Sequence, residues 1–225
     1  GGLYAKLARL QFGDVPAACL RVPTGGGKTI MASHIVALAG HTVLGSDAPV
    51  AVWFTPTDIV RRQTLEALQD VAADPGVRCV VLTGSGRAFC VGQDLKEHIK
   101  LLQAEDQSLW RTVPEHYNPI VTLLATMDKP VIAAVNGVAA GAGAAFAMAA
   151  DLRYVAASAG FNLAFTGIAL SCDSGSSWSL PRLVGPGRAK ELLYFPRTVR
   201  AQEALELGLA TEVVPDAELA DRVAE

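Results

Sequence analysis

Apolar residues in this chain gather in short unbroken runs, and between the runs they recur at helical spacing. AACLRV (17–22), VAVWFT (50–55), VRCVVLTG (77–84), PVIAAV (130–135), DLRYVAA (151–157), AGFNLAF (159–165) and LATEVVP (209–215) read as strands. Consecutive apolar positions predict strands covered on both faces. Leu65, Leu68 and Val71 lay an apolar stripe along a helix over 57–73, which Asp74-Pro75-Gly76 stops. Ile120, Leu123, Leu124 and Met127 form a second stripe at the end of a mostly helical stretch, 95–127. Further helices are predicted over 28–38, 141–150, near 174–183, 188–195 and 201–208, with a short helical tail at 216–225. Strands and helices alternate, so the fold class is α/β. No internal repeat and no low-complexity linker is legible.

Composition narrows the picture. Hydrophobic residues make up 51% of 225 and charged residues 18%, enough for one large domain, or one and a half small ones, with a well-buried core. The net charge of -3 and the lack of a long basic run argue against a nucleic-acid surface. Cys19, Cys79, Cys90 and Cys172 are scattered, without a CxxC or metal-ligand spacing. No metal is expected, and the reading is a cytoplasmic protein. No secretory leader is read at the N-terminus. Residues 131–150 are nearly uncharged, but Asn136-Gly137 interrupts them, so they read as strand, turn and helix rather than a membrane span. His34, His41, His98 and His116 read as surface or capping residues.

Candidate chemistry concentrates in two glycine-rich loops, GRAFCVGQD (86–94) and NGVAAGAG (136–143). Each can turn backbone N–H groups toward a point. A helix beginning near Gly141 would add its positive dipole end. Two convergent donors suit a thioester oxyanion or enolate.

A third loop belongs to other chemistry. VPTGGGKT (22–29) ends one predicted strand and opens a helix. Gly25, Gly26 and Gly27 would wrap a phosphate, Lys28 would meet the β/γ-phosphates, and Thr29 could reach Mg²⁺. Val22 stands where the strict phosphate-loop pattern has Gly. This segment and TPTDIVRRQ (55–63) resemble the first motifs of a superfamily 2 helicase of the type III restriction or DEAD-like kind. No strand ending in D-E-x-[HD] follows, so a hydrolytic partner is not expected. ATP and Mg²⁺ belong to this alternative alone.

DPGVRCVVLTGSGRAFCVGQDLKE (74–97), DKPVIAAVNGVAAGAG (128–143), DLRYVAASAGFNLAF (151–165) and LGLATEVVP (207–215) resemble the crotonase superfamily, in family order and spacing. The resemblance covers residues 70–225 and is nearest the ring-epoxyphenylacetyl-CoA isomerase branch. It implies a ββα spiral core and an acyl-CoA thioester as ligand, with no cofactor beyond the substrate's own CoA. It implies an oxyanion hole from the N–H groups of Gln93 and Ala142. Gly92, Gln93, Asp94, Leu95, Lys96 and Gly141 would line the CoA path. Ala145 and Phe165 stand where hydratases of the family carry glutamates, so two-acid addition of water is not expected. Asp173 stands where the isomerase branch carries its acid/base. Its other reading is an N-cap for a helix beginning at Ser174. Cys172 and Gly175-Ser176 replace the family's usual Pro and Gly-Gly.

The two resemblances predict a chimera. A helicase-like P-loop βαβα unit, 1–69, precedes a crotonase-like domain, 70–225, truncated at both ends. The helix across the join fits either parent. The family's trimer helices are not found after 225, so a homo-oligomer is expected in compromised form.

Overall fold

The structure is a computed structural model that describes residues 6–12, 15–21, 51–53, 58–92, 95–106 and 110–224. The phosphate-loop residues Gly25, Gly26, Gly27, Lys28 and Thr29, and the helix expected over 28–38, lie outside the described residues. So do Gln93 and Asp94.

Strands β1 (Lys6–Phe12) and β2 (Val15–Arg21) form an antiparallel hairpin, of which only the second arm is expected from the sequence. β3 (Ala51–Trp53) and helix α1 (Asp58–Ala73) follow. From there the chain repeats a strand, strand, helix unit. β4 (Val80–Thr83), β5 (Ala88–Cys90) and α2 (Leu95–Gln103) make the first. A π-helical turn, Val113–Tyr117, and α3 (Asn118–Thr126) lead to the second: β6 (Val131–Val135), β7 (Val138–Ala140) and α4 (Ala142–Ala149). The third is β8 (Leu152–Ala156), β9 (Gly160–Asn162) and, after a 3₁₀ turn, α5 (Ser176–Val184). Helix α6 (Pro186–Tyr194), β10 (Val199–Arg200), α7 (Ala201–Leu207), β11 (Glu212–Val214) and α8 (Leu219–Ala224) complete the described chain.

The first strand of each unit enters one sheet and the second enters another. The larger sheet runs β11-β8-β6-β4-β3, all parallel. The smaller runs β10-β9-β7-β5, parallel except for β10. Parallel sheets need cover on both faces, which is why their strands read as continuous apolar runs. Val80, Leu82, Val131, Ala133, Val135 and Val155 are all buried. Leu68 of α1, Ile120 and Leu124 of α3, Phe146 of α4 and Leu180 of α5 close over them.

Several family-like motifs act as clasps. Asp151 Oδ2 accepts the Val131 N–H at 2.8 Å, and the Asp151 N–H returns a bond to Val131 O, tying β8 to the start of β6. Arg153 is buried and donates to Leu209 O at 2.8 Å and Ala150 O at 2.6 Å. Burial holds its guanidinium below its ordinary value, with Asp151 opposing this only in part. Arg153 thereby links DLRY to LATE across the sheet. Lys129 Nζ donates to Val71 O at 2.7 Å and to Asp74 O, capping the C-terminal end of α1 with a cation.

Besides the unexpected strands β1 and β10, the structure corrects the sequence reading at three places. Both glycine-rich loops contain a strand, β5 and β7, too short and too closely flanked by glycine for alternation to register. The strand expected over 159–165 is extended only at Gly160–Asn162, because the chain turns at Ala164, φ 47°. The helix expected from 174 begins at Ser176, after two residues of positive φ.

Across the expected join, β3 pairs with β4 in the larger sheet, and α1 sends the fully buried Leu68 into the same core as α3. Residues 51–53 and 58–73 therefore share a sheet and a core with the units that follow. Leu68→Ala should destabilise the protein by about 2–5 kcal/mol, the usual cost of a buried Leu→Ala cavity. Urea unfolding followed at Trp110 and Trp178 checks this. A loss under 1 kcal/mol would mean that α1 does not seal this core.

Candidate functional site

The two glycine-rich loops meet because they leave neighbouring strands of one sheet. β5 and β7 pair in parallel, Ala88 with Val138 and Cys90 with Ala139, with a register shift between the two pairs. Such a bulge re-aims the chain that follows. Beyond it the loops run side by side. A Cβ placed on Gly92 would lie 3.3 Å from Ala140 O and 3.5 Å from Ala142 N. A Cβ placed on Gly143 would lie 2.0 Å from Cys90 O, a distance at which no side chain fits. The first turn of α4 thus rests directly on the backbone leaving β5.

Each loop turns through a glycine of positive φ just before a candidate donor. Gly92 has φ 82° and precedes Gln93. Gly141 has φ 53° and ψ −123° and precedes Ala142. Those values exclude an unstrained side chain and rotate the next peptide out of the strand direction. Gly141 N–H donates to Asn162 O at 2.9 Å, which anchors the turn to β9. Ala142 opens α4, so its N–H is one of those at a helix start without an intrahelical acceptor. The eight-residue helix adds its positive end at the same place.

Asn136, which the sequence reading treats only as a turn residue, stitches the strand ends beneath the loops. Its Oδ1 accepts the Gly84 N–H at 2.9 Å, and its Nδ2 donates to Gly86 O at 3.1 Å. Gly137 lies against Arg87 O, where a Cβ would approach to 2.2 Å. The Asn-Gly pair is the sequence signal for this close crossing.

Of the remaining candidates, Leu95 and Lys96 open α2, and Gly141 and Ala142 stand at the head of α4. Ala145 and Phe165 are both buried, with no carboxylate at either position. Asp173 comes from a separate segment, before α5, a helix that packs along α4. Its side chain does not cap that helix: Gly175 is the N-cap and no side chain bonds there. The Asp173 backbone C=O accepts the Ser176 N–H at 2.9 Å, while its Oδ1 accepts the Ser174 hydroxyl at 2.7 Å. Burial pushes the Asp173 carboxyl above its ordinary value, and the Ser174 hydroxyl pulls the other way. The segment is strained, with Ala164, Ala169 and Ser174 all at positive φ.

Cysteine chemistry does not fit the site. Burial pushes the Cys90 thiol up, and burial with Asp173 nearby does the same to Cys172. Both stay protonated at neutral pH and are poor nucleophiles. Among the described residues no group of His, Cys, Asp and Glu could hold a metal ion. No helix of the described residues is long and apolar enough to cross a membrane.

The enoyl-CoA hydratase/isomerase family matches residues 57–225, a stretch that includes α1. The 1,2-epoxyphenylacetyl-CoA isomerase of Escherichia coli K12 is 43% identical over 164 residues, 73% of this chain and 63% of that protein. The 4-chlorobenzoyl coenzyme A dehalogenase-1 of an Arthrobacter species is 39% identical over 163 residues, 72% of this chain and 59% of that protein. The crystal structure of an enoyl-CoA hydratase from Bacillus anthracis superposes with a TM-score of 0.65 at 35% identity, covering 76% of this chain and 64% of that one. The chain spans about three fifths of the length of the curated relatives it matches.

The Asp173 environment has a consequence for stability. A carboxyl raised on folding binds its proton more tightly in the folded chain than in the unfolded one. Its charge therefore opposes folding at pH above the folded value, and this penalty lifts as pH falls through it. Asp173→Asn should be more stable than the parent at pH 7–8. The gain should vanish below about pH 4, where unfolded and folded aspartates are both protonated. Thermal melts of both proteins across that range measure it. A variant less stable at pH 7 would reverse the sign assigned to this group.

Proposed function

The chain belongs to the enoyl-CoA hydratase/isomerase family, and from that premise we propose that it isomerises an acyl-CoA thioester through an enolate. The observation that carries this reading is the pair of positive-φ glycines, Gly92 and Gly141, leaving adjacent parallel strands. Counting on from Cys90 beside Ala139 brings Gly92 level with Gly141. The next residues are Gln93 and Ala142, whose N–H groups receive the thioester oxygen. Residues 92–96 line the path of the CoA moiety.

The reaction needs little else. The Asp173 carboxylate takes a proton from a carbon conjugated with the thioester carbonyl. The C–H electron pair moves into the carbon framework, and the thioester oxygen gains negative charge. The two N–H groups and the positive end of α4 hold that charge. One such donor contributes roughly 10²–10³ in rate. Asp173 then returns the proton to a different carbon, and the double bond has moved. No water is consumed and no electron leaves the substrate.

Hydration is the less favoured outcome for this chain. It needs a base to activate water and an acid to protonate carbon. Ala145 and Phe165 supply neither. A raised carboxyl such as Asp173 suits a group that must both accept and return a proton.

Asp173→Asn should lower isomerisation of an enoyl-CoA by about 10²–10⁴. Its affinity for a non-reactive CoA thioester should stay within about twofold, a change worth only ~0.4 kcal/mol. Absorbance of the conjugated thioester gives the rate, and calorimetry gives the affinity. The chain should also bind the thioester in preference to Mg·ATP. An Asn variant turning over at the parent rate would remove Asp173 from the chemistry.

A further inference from the structure

Ser174 is held in a conformation that serine tolerates poorly. It is 1% exposed and lies at φ 51°, in the left-handed region. A side chain there is strained, and a glycine would not be. Such strain persists only where the surroundings hold it, and it gathers at working sites. The hydroxyl has a definite partner: Ser174 Oγ donates to Asp173 Oδ1 at 2.7 Å.

The turn that presents this hydroxyl is seated against a helix. Ser176 N–H donates to Asp173 O at 2.9 Å, with Ser174 and Gly175 between them. Gly175 has φ 75°, and a Cβ placed on it would lie 2.7 Å from Val121 Cγ1. Val121 belongs to α3, where a β-branched side chain keeps one strongly preferred rotamer and does not easily turn aside. One helical turn before Val121, the ring of Tyr117 meets Phe146 of α4 edge-on, with centroids 5.6 Å apart. Helix α3 thus touches both the helix headed by Ala142 and the turn that follows Asp173.

Which carboxylate oxygen is occupied decides which one can take a proton. A hydrogen bond accepted at Oδ1 draws charge from that oxygen and makes it the poorer proton acceptor. Oδ2 has no hydrogen bond among the described residues. We propose that Ser174 is a positioning residue for Asp173: by holding Oδ1 it turns Oδ2 to the substrate and makes Oδ2 the oxygen that carries the proton. The inference rests on the proton-carrier reading of Asp173. The proton leaves a substrate carbon for Oδ2, and its C–H electron pair stays in the enolate. The same oxygen returns the proton to another carbon. Ser174 keeps its own proton throughout.

Burial raises the Asp173 carboxyl and the Ser174 hydroxyl opposes this, so the hydroxyl also keeps more of the base ionised at neutral pH. Among the described residues few other groups titrate nearby. Cys172 carries a raised thiol. Helices α3 and α4 have no ionisable side chain, and α5 has only Arg182. The π-helical turn before α3 brings His116 and Glu115, which is paired with Arg111. Helix α6, packed on α5, adds Arg188, Lys190, Glu191 and Tyr194 on exposed or half-exposed positions.

The experiment compares Ser174→Gly, Ser174→Ala and Asp173→Asn in the full chain. Alanine removes the hydroxyl and keeps a strained side chain; glycine removes both. Turnover of an enoyl-CoA against pH gives kcat and kcat/KM, and calorimetry gives affinity for a non-reactive CoA thioester. Both serine variants should move the acidic limb of the kcat/KM profile to higher pH. Both should also lower kcat on its alkaline plateau by about three- to tenfold, part of the contribution of a hydrogen bond to a charged group. Affinity should stay within about twofold. Ser174→Gly should melt above Ser174→Ala, since glycine accepts this φ without strain. A full plateau kcat in Ser174→Gly, or an acidic limb that stays or moves down, overturns the inference alone. So does recovery by glycine of the turnover that alanine loses, which would assign the role to backbone shape. If the alanine variant does not fold, the glycine variant decides by the same criteria. Parent-like turnover by Asp173→Asn overturns the proton-carrier reading and this inference together.

Discussion

Everything at the site depends on one backbone-to-backbone approach. The first turn of α4 can lie on the chain leaving β5 only because residue 143 has no side chain, since a Cβ there would fall 2.0 Å from Cys90 O. The same contact sets the separation between Gly92 and Ala142. It explains why α4 is built from AGAAFAMA, with small residues buried nearly all round rather than along one stripe. A helix that must sit this deep between a loop and a sheet has no solvent face. Its apolar character is a packing requirement, not a membrane signature.

Much of this was legible in the sequence, and for identifiable reasons. Long strands covered on both faces announced themselves as apolar runs, and β4, β6 and β8 fall within a few residues of the expected spans. Helix α1 was fixed by its stripe and by Asp74-Pro75-Gly76. The short strands β5 and β7 were not visible, because three residues between glycines carry no period. Periodicity therefore gave no sign of the strand, strand, helix repeat, which is a repeat of geometry and not of residues; only the family resemblance implied it. Arg153, mid-motif in DLRY, gave no hint that it would bridge to Leu209 and Ala150, since its partners are backbone carbonyls distant in sequence or in the preceding turn.

The candidate acid shows the same boundary between local and tertiary information. An aspartate before a predicted helix reads as a cap, and local rules alone favour that role. The structure spends the capping position on Gly175 and leaves the carboxylate to a neighbouring serine. Two positive-φ residues in succession make this possible, and a Ser-Gly pair is the only local sign of it. Strain at Ala164, Ala169 and Ser174 is confined to the stretch between β9 and α5, where regular structure gives way to a shaped loop. The surrounding sheets carry no such outliers among the described residues.

Parallel pairing in the larger sheet also sets a timetable for synthesis. Val80 of β4 pairs with Val131 of β6, 51 positions later, and β8 in turn pairs with β11 from Tyr154 to Glu212. A ribosome adding roughly 5–20 residues per second leaves β4 waiting about 3–10 s for this neighbour. During that interval VVLT is an apolar strand with one edge still open. The growing chain is thus most exposed to misassociation before Val135 emerges, and each later unit closes the edge left by its predecessor.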